Sequence, residues 1–437
     1  MSRSISIRLL IVPLLVTAAL YCVAAPAEKV SVIHAGTLLA VPGEPPLREQ
    51  TIVVHNNLIT QVVAGYQEPG TVDPSAEYID LREMFVLPGH MDMHVHLLLE
   101  LDPNSRLRSL TESDALSLLR GAQHARTTLL AGFTTVRDLG GNPQSIFALR
   151  DAVAQGIMQG PRIFATGSPL AATGGHGDVD GVRPELMETW TSKTICDGPY
   201  DCRRATRHAI KYGSDWIKVT VTGGVLSNTD TGLGLQMTPG ELEEIVTTAH
   251  QLGRRVAVHA HGADGIKAAL IAGVDSIDHG TFMDREGIRL MKKHDAWFVP
   301  TMLPGFVISK QQQARPFLPP AIQNKVELAT GAITSAVNSA HRAGVKIAFG
   351  TDAGTFKHGT NAQEFSLMVA AGMTPMEAIR SATVVTADLL SRSDQLGTIV
   401  PGKFADLIAV DGNPLEDIAV LESVRVVIKD GELITSD

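Results

Sequence analysis

Two histidines, His94 and His96, stand two residues apart at the end of the apolar stretch Leu87-Pro88-Gly89-His90-Met91-Asp92-Met93. On a strand, residues i and i+2 share a face, so this pair can grip one metal ion from one side. The spacing is weak by itself, since a strand-end histidine is more often an ordinary core or surface imidazole. Further donors follow at comparable places: Lys218 in Trp216-Ile217-Lys218-Val219-Thr220, His259 and His261 in Val258-His259-Ala260-His261, His279 in Ser276-Ile277-Asp278-His279, and Asp352 in Gly350-Thr351-Asp352. Together they supply the nitrogen and oxygen ligands that suit zinc, in a number sufficient for two ions. Lys218 lies among apolar and β-branched neighbours, where an unpaired ammonium is costly. Low dielectric lowers its pKa and frees an amine that can combine with carbon dioxide as a carbamate, a bidentate ligand able to bridge two metals. The competing reading is a lysine held in a buried salt bridge.

These residues must be brought together by regular elements. Strand-like runs are predicted at 86–96, 134–138, 162–166, 216–222, 255–261, 276–279, 297–301 and 346–351, with helical periodicity between them at 115–130, 239–252, 265–272 and 323–343. The alternation predicts an α/β fold, a (β/α)8 TIM barrel, whose chemistry sits at the C-terminal ends of the strands. An open doubly wound sheet is disfavoured because no Gly-rich phosphate fingerprint follows the first strand. Helices at 362–371 and 375–390 are expected to close the barrel. Both ends of the chain read as β: 30–86, then 405–410 and 424–434 with an Asp430-Gly431 turn. The expected organisation is a signal peptide at 1–27, a small β-sandwich from 28–86 and 394–437, and a hydrolase barrel at 87–393.

The opening residues have the order of an export signal: Arg3 and Arg8, an apolar run over 9–23, then Ala24-Ala25-Pro26-Ala27. Pro13 and the shortness of the run argue against a stable membrane anchor, and Tyr21 before Cys22 is too bulky for a lipobox. The expected location is therefore periplasmic or secreted. In such a compartment Cys196 and Cys202 can close a short loop; buried free thiols are the alternative. A net charge of −9 without a Lys/Arg cluster leaves nucleic acid an unsuitable partner.

The set His94-x-His96, Lys218, His259, His279 and Asp352 resembles the metal motif of the amidohydrolase superfamily. Thr134-Thr135-Val136-Arg137-Asp138, Gly174-Gly175-His176-Gly177-Asp178, Thr222-Gly223-Gly224-Val225 and Pro401-Gly402-Lys403-Phe404-Ala405-Asp406-Leu407 extend the likeness to the imidazolonepropionase-like dipeptidase branch, with its Xaa-Pro and Xaa-Lys/Arg dipeptidases and ochratoxin-hydrolysing amidases. The resemblance implies two divalent ions: one on His94, His96 and Asp352, the other on His259 and His279. A CO2-derived carbamate on Lys218 and a hydroxide would bridge them, with Asp352 as general base and then acid. It also implies a small peptide or N-acyl amino acid as substrate, and a homo-oligomer. His176, His261, Leu226 and Ser227 are the candidate substrate contacts. Some proline-cleaving relatives carry a Tyr where this chain has Leu226, which argues against proline specificity and leaves an apolar or aromatic leaving residue at least as well supported. His90, His124 and His358 are expected to be structural, and Arg137 with Asp138 to form a barrel salt bridge. A one-metal cyclic-amide hydrolase or deaminase is the rival enzyme, and a non-catalytic scaffold the remote alternative.

Overall fold

The computed structural model describes residues 29–180, 182–227, 232–314 and 318–435. The expected signal peptide lies outside the described residues. Strands run in chain order as β1 (Val30–Leu38), β2 (Leu47–His55), β3 (Leu58–Ala64), β4 (Glu77–Pro88), β5 (His90–Val95), β6 (Phe133–Asp138), β7 (Arg162–Ala165) and β8 (Ile217–Thr220). They continue as β9 (Val256–Ala260), β10 (Ser276–His279), β11 (Trp297–Val299), β12 (Lys346–Ile347), β13 (Leu407–Val410), β14 (Val424–Lys429) and β15 (Glu432–Ile434). Among the described residues, no helix is long and apolar enough to cross a membrane.

The β-rich ends of the chain meet in one seven-stranded sheet, ordered β15-β14-β13-β4-β1-β2-β3. Its seam is the antiparallel pairing of β13 with β4, Leu407 opposite Pro88 and Val410 opposite Phe85. The ladders join these strands in one mixed sheet, with Ile33, Ile52, Val86 and Leu407 in one buried apolar cluster.

The middle of the chain forms two parallel sheets, β5-β6-β7 and β12-β11-β10-β9-β8. Backbone bonds span the two gaps between them. Leu170 N–H donates to Lys218 O (2.8 Å) and Thr220 N–H to Leu170 O (2.9 Å) beside β8. At the other edge Met93 N–H donates to Phe349 O (2.9 Å), and Asp352 N–H to His94 O (2.7 Å). Helices pack outside, started by local chemistry: Ser113 accepts from Leu116 N–H before helix Asp114–Leu130, and Thr238 with Glu241 forms a capping box at helix Pro239–Gln251.

Two expectations need correction. The run at 86–96 is not one strand. β4 stays in the terminal sheet through Pro88, Gly89 N–H donates to Asp406 O, and His90 N–H already donates to Gly132 O (each 3.0 Å). The chain changes sheets within one residue, and a Cβ on Gly89 would stand 2.3 Å from Thr134 Oγ1, so glycine is required by close approach. The predicted helix at 375–390 is two, Pro375–Ser381 and Val384–Leu389. Ser381 Oγ donates back to Ala378 O (2.6 Å) and Thr383 Oγ1 to Ile379 O (2.7 Å), while Thr383 leaves helical dihedrals at φ −130°, ψ −92°.

Cys196 and Cys202 are joined by a disulfide. The loop they close also holds Thr173, whose N–H and hydroxyl both donate to the Asp197 carboxylate.

Gly89→Ala is expected to lower stability by about 1–3 kcal/mol through overpacking against Thr134, with partial recovery in Gly89→Ala/Thr134→Ala. Denaturant titration of both variants checks this; equal stability of Gly89→Ala and wild type would refute the close-approach role.

Candidate metal centre

His94 and His96 leave the end of β5 towards the segment that follows β12. Asp352 Oδ1 lies 3.2 Å from His96 Nε2 and 3.4 Å from His94 Nε2. Asp92, on the same face of β5, locks this junction: its carboxylate accepts from His94 N–H (3.1 Å), Thr351 N–H (3.0 Å), Thr351 Oγ1 (2.6 Å) and Asn361 Nδ2 (2.8 Å). Asp352 at φ 61° and His279 at φ 70° both adopt left-handed backbone, an uncommon conformation that turns each side chain as its strand ends.

Imidazoles from β9 and β10 complete the group. Ring centroids are 4.9 Å apart for His94 and His279, 4.5 Å for His259 and His279, and 4.7 Å for His259 and His261. Hydroxyls orient two of these rings: Thr301 Oγ1 lies 2.7 Å from His279 Nδ1, and Thr281 Oγ1 lies 2.8 Å from His261 Nδ1. That arrangement leaves the opposite nitrogen of each ring available to an ion. Donor atoms of His259, His261 and His279 fall within 4.8 Å of one another, as do those of His94, His279 and Asp352.

The electrostatics suit a cation. Burial holds His94, His259 and His279 well below the usual imidazole range, helped by Lys218 at His94, His176 at His259 and His261 at His279. Neutral imidazoles present lone pairs, and His259 Nε2 is buried without a hydrogen-bond partner. Burial alone would push His96 down as well, but its hydrogen bond to Asp352 and that residue's charge carry it upward overall. The residues present therefore fit a metal ion.

Lys218 is buried, and its Nζ donates to Asp278 Oδ2 at 3.0 Å. Burial lowers its pKa, with Asp278 opposing the shift. Asp278 also receives Arg137 at 3.2 Å, and Asp278 and Arg137 are fully buried. The expected Arg137–Asp138 salt bridge is thus corrected to Arg137–Asp278. Neighbours on a strand point to opposite faces, so Asp138 instead accepts from Leu97 N–H (2.7 Å) and Gly140 N–H (3.3 Å).

The donors open into a cavity of about 460 Å³. His176, His261 and Leu226 line it, whereas Ser227 stands behind His176, its Oγ 2.5 Å from Nδ1. Burial pushes His261 down to about 3 and His176 to about 4, with His176 the next cause at His261 and Lys218 at His176. Opposite them, helices Leu303–Ala314 and Pro320–Arg342 contribute Ile308, Val326 and Ile333. His90 packs between Phe133 and Phe365, and His124 stacks on His358, all three off the cavity wall.

The amidohydrolase family model matches residues 85–434. The chain belongs to the amidohydrolase family. Among its relatives, this amidohydrolase is 33% identical over 417 residues to an ochratoxinase from Aspergillus niger, covering 91% of this chain and 85% of the relative. It is 43% identical to a Xaa-Pro dipeptidase whose crystal structure holds methionine in the active site, with a TM-score of 0.87 over 93% of this chain and 100% of that one. A prolidase complexed with N-methylphosphonate-L-proline is 31% identical, with a TM-score of 0.84 over 94% of this chain and all of that one.

Sequence reasoning missed the partnership of Asp278, although the residue adjoins His279 in the same quoted run. It also missed Thr281 and Thr301, which carry no motif beyond lying just past strand ends. Glu364 escaped notice too. It accepts from Met302 N–H and Leu303 N–H (each 2.8 Å), fixing the start of the helix that walls the cavity.

Chelation of the as-purified amidohydrolase is expected to lower its Tm by at least several degrees, with recovery on adding zinc, because an ion bound to the folded state alone stabilises by mass action. An unchanged melting curve would count against a metal site. Burial pushes the Glu364 carboxyl up to about 8 from 4.5, so the folded chain keeps a proton that the unfolded chain has released between those values. Stability from this group is lost as pH rises through that window. Glu364→Gln should flatten that part of the stability profile relative to wild type.

Proposed function

We propose that this protein is a binuclear metal-dependent hydrolase that cleaves the amide bond of dipeptides or N-acyl amino acids. The observation that carries this reading is the convergence of His94, His96, Lys218, His259, His279 and Asp352 on one cavity. In this reading His94, His96 and Asp352 would hold one ion and His259 and His279 a second, with Lys218, as a carbamate, a shared ligand. Zinc suits the donor set. Divalent ions held there would bring the pKa of a water near neutral and polarise the scissile carbonyl.

The chain's own residues do the rest. Asp352, beside both His94 and His96, is placed to take a proton from the attacking water and return it to the leaving amine. His176 and His261 face the carboxylate of the C-terminal residue, and Leu226 with Ile308, Val326 and Ile333 receives its apolar side chain. The relatives support this range: an ochratoxinase, a Xaa-Pro dipeptidase with methionine bound, and a prolidase. A one-ion cyclic-amide hydrolase or deaminase is the second reading, favoured by the 3.0 Å Lys218–Asp278 contact if that lysine stays an ammonium.

The same reading extends to the frame. The backbone bonds across both gaps support closure of the two parallel sheets into a (β/α)8 barrel over 87–393. The shared core of the seven-stranded sheet supports an accompanying sandwich from 28–86 and 394–437. Export, and assembly as a homo-oligomer, belong to this proposal as well.

The test is a panel of N-acyl amino acids and dipeptides varied at the C-terminal residue, assayed with zinc and bicarbonate. Turnover should be greatest with large apolar C-terminal residues, and Lys218→Ala should lower kcat/KM by roughly 1,000-fold or more while metal content falls from about two per chain. Metal content near one in active wild type would favour the second reading, and activity retained in Lys218→Ala would remove the bridging role.

A further inference from the structure

We propose that Lys325 is a positioning residue for substrate capture, holding in place the backbone that fixes His176. The inference rests on the reading of His176 as the group that faces the substrate carboxylate.

Lys325 reaches from helix Pro320–Arg342 to the segment that follows β8. Its Nζ donates to Ser227 O at 2.7 Å and to Gly224 O at 3.2 Å. Both residues so held touch the His176 ring. Ser227 Oγ lies 2.5 Å from His176 Nδ1, and Gly224 lies so close beneath the ring that a Cβ there would stand 2.2 Å from its Cε1. Segment 223–227 has neither strand nor helix ladder of its own; within it only a long turn bond, Ser227 N–H to Gly224 O (3.3 Å), is formed, and Lys325 adds a donor to each carbonyl. An ammonium with several N–H groups on a flexible stem can serve two carbonyls at once.

The clamp also joins two walls of the cavity. Val326, next to Lys325 in the chain, lines the cavity, as do Ala329 and Ile333 farther along the same helix. A substrate side chain seated against this helix is therefore registered to His176 through Lys325. Loss of the clamp frees the His176 ring to rotate against the His259 ring, 4.2 Å away between centroids, while leaving every side chain proposed to hold metal in the chain. The defect should fall on capture rather than on chemistry.

The experiment uses the full zinc-loaded protein and the best substrate of the panel above, with Lys325→Met, Lys325→Arg, His176→Ala and the Lys325→Met/His176→Ala double variant. Lys325→Met should raise KM by about tenfold with kcat within about twofold, and metal content should stay at the wild-type level. Lys325→Arg should recover most of the loss, and the double variant should be no worse than His176→Ala, because both changes remove one function. Additive losses in the double variant, an unchanged KM in Lys325→Met, or a fall in kcat with loss of metal would overturn the proposal. An unchanged KM in His176→Ala would instead overturn the reading of His176 itself.

Discussion

A single buried carboxylate underlies the centre of this protein. Asp278 sits at zero exposure between the guanidinium of Arg137 and the ammonium of Lys218, with His94 Nδ1 3.6 Å away. Removing one member of such a group leaves an uncompensated charge in low dielectric, which costs roughly 3–5 kcal/mol. Arg137 is held further by Met93 O (2.7 Å) and by the face of Trp216 (4.6 Å), so the charge cluster is fastened to β5, β6, β8 and β10 together. This cluster carries Lys218 into the interior, to the wall of the cavity.

Around that cluster, the strands end in directions that local backbone preference does not favour. His279, Thr301 and Asp352 all have positive φ, and each is tied to a neighbour: Thr301 to the His279 ring, and the Asp352 amide to His94 O. Strain of this kind persists only where surrounding contacts over-determine it. Asp92 supplies much of that constraint through its four accepted hydrogen bonds, gathering the ends of β5 and the 351–352 turn into one unit. The result is a set of imidazoles kept neutral by burial and aimed at a common space.

The cover of the cavity and its donors come from different elements. The strand ends carry the donors, while the helices at 303–314 and 320–342 cover the opening with Ile308, Val326 and Ile333. These helices depend on charged or polar anchors at their edges, Glu364 beneath the first and Lys325 on the second. Such a division lets the cover vary while the donor geometry stays rigid, as is common where loops and helices top a scaffold of strands.

Much of this was legible in the residues alone. The donor types, their places at strand ends and the alternation of strand with helix are local properties, because side-chain direction within a strand follows from spacing. Hence His94, His96, Lys218, His259, His261, His279 and Asp352 could be grouped as candidate donors without coordinates, and the resemblance to a family, not the spacing, set His259 ahead of His261. What only the tertiary structure decided depends on contacts between distant segments, which no local period encodes. Asp278 rather than Asp138 pairs with Arg137 because strand neighbours face opposite ways and the packing of the two parallel sheets brings β6 against β10. Ser227 stands behind His176 rather than on the wall, and the helices at 303–314 and 320–342 line this cavity rather than another surface, because packing across the sheet ends sets their place. Spacing along the chain determines which way a side chain leaves its strand; the three-dimensional meeting of strands determines what it finds there.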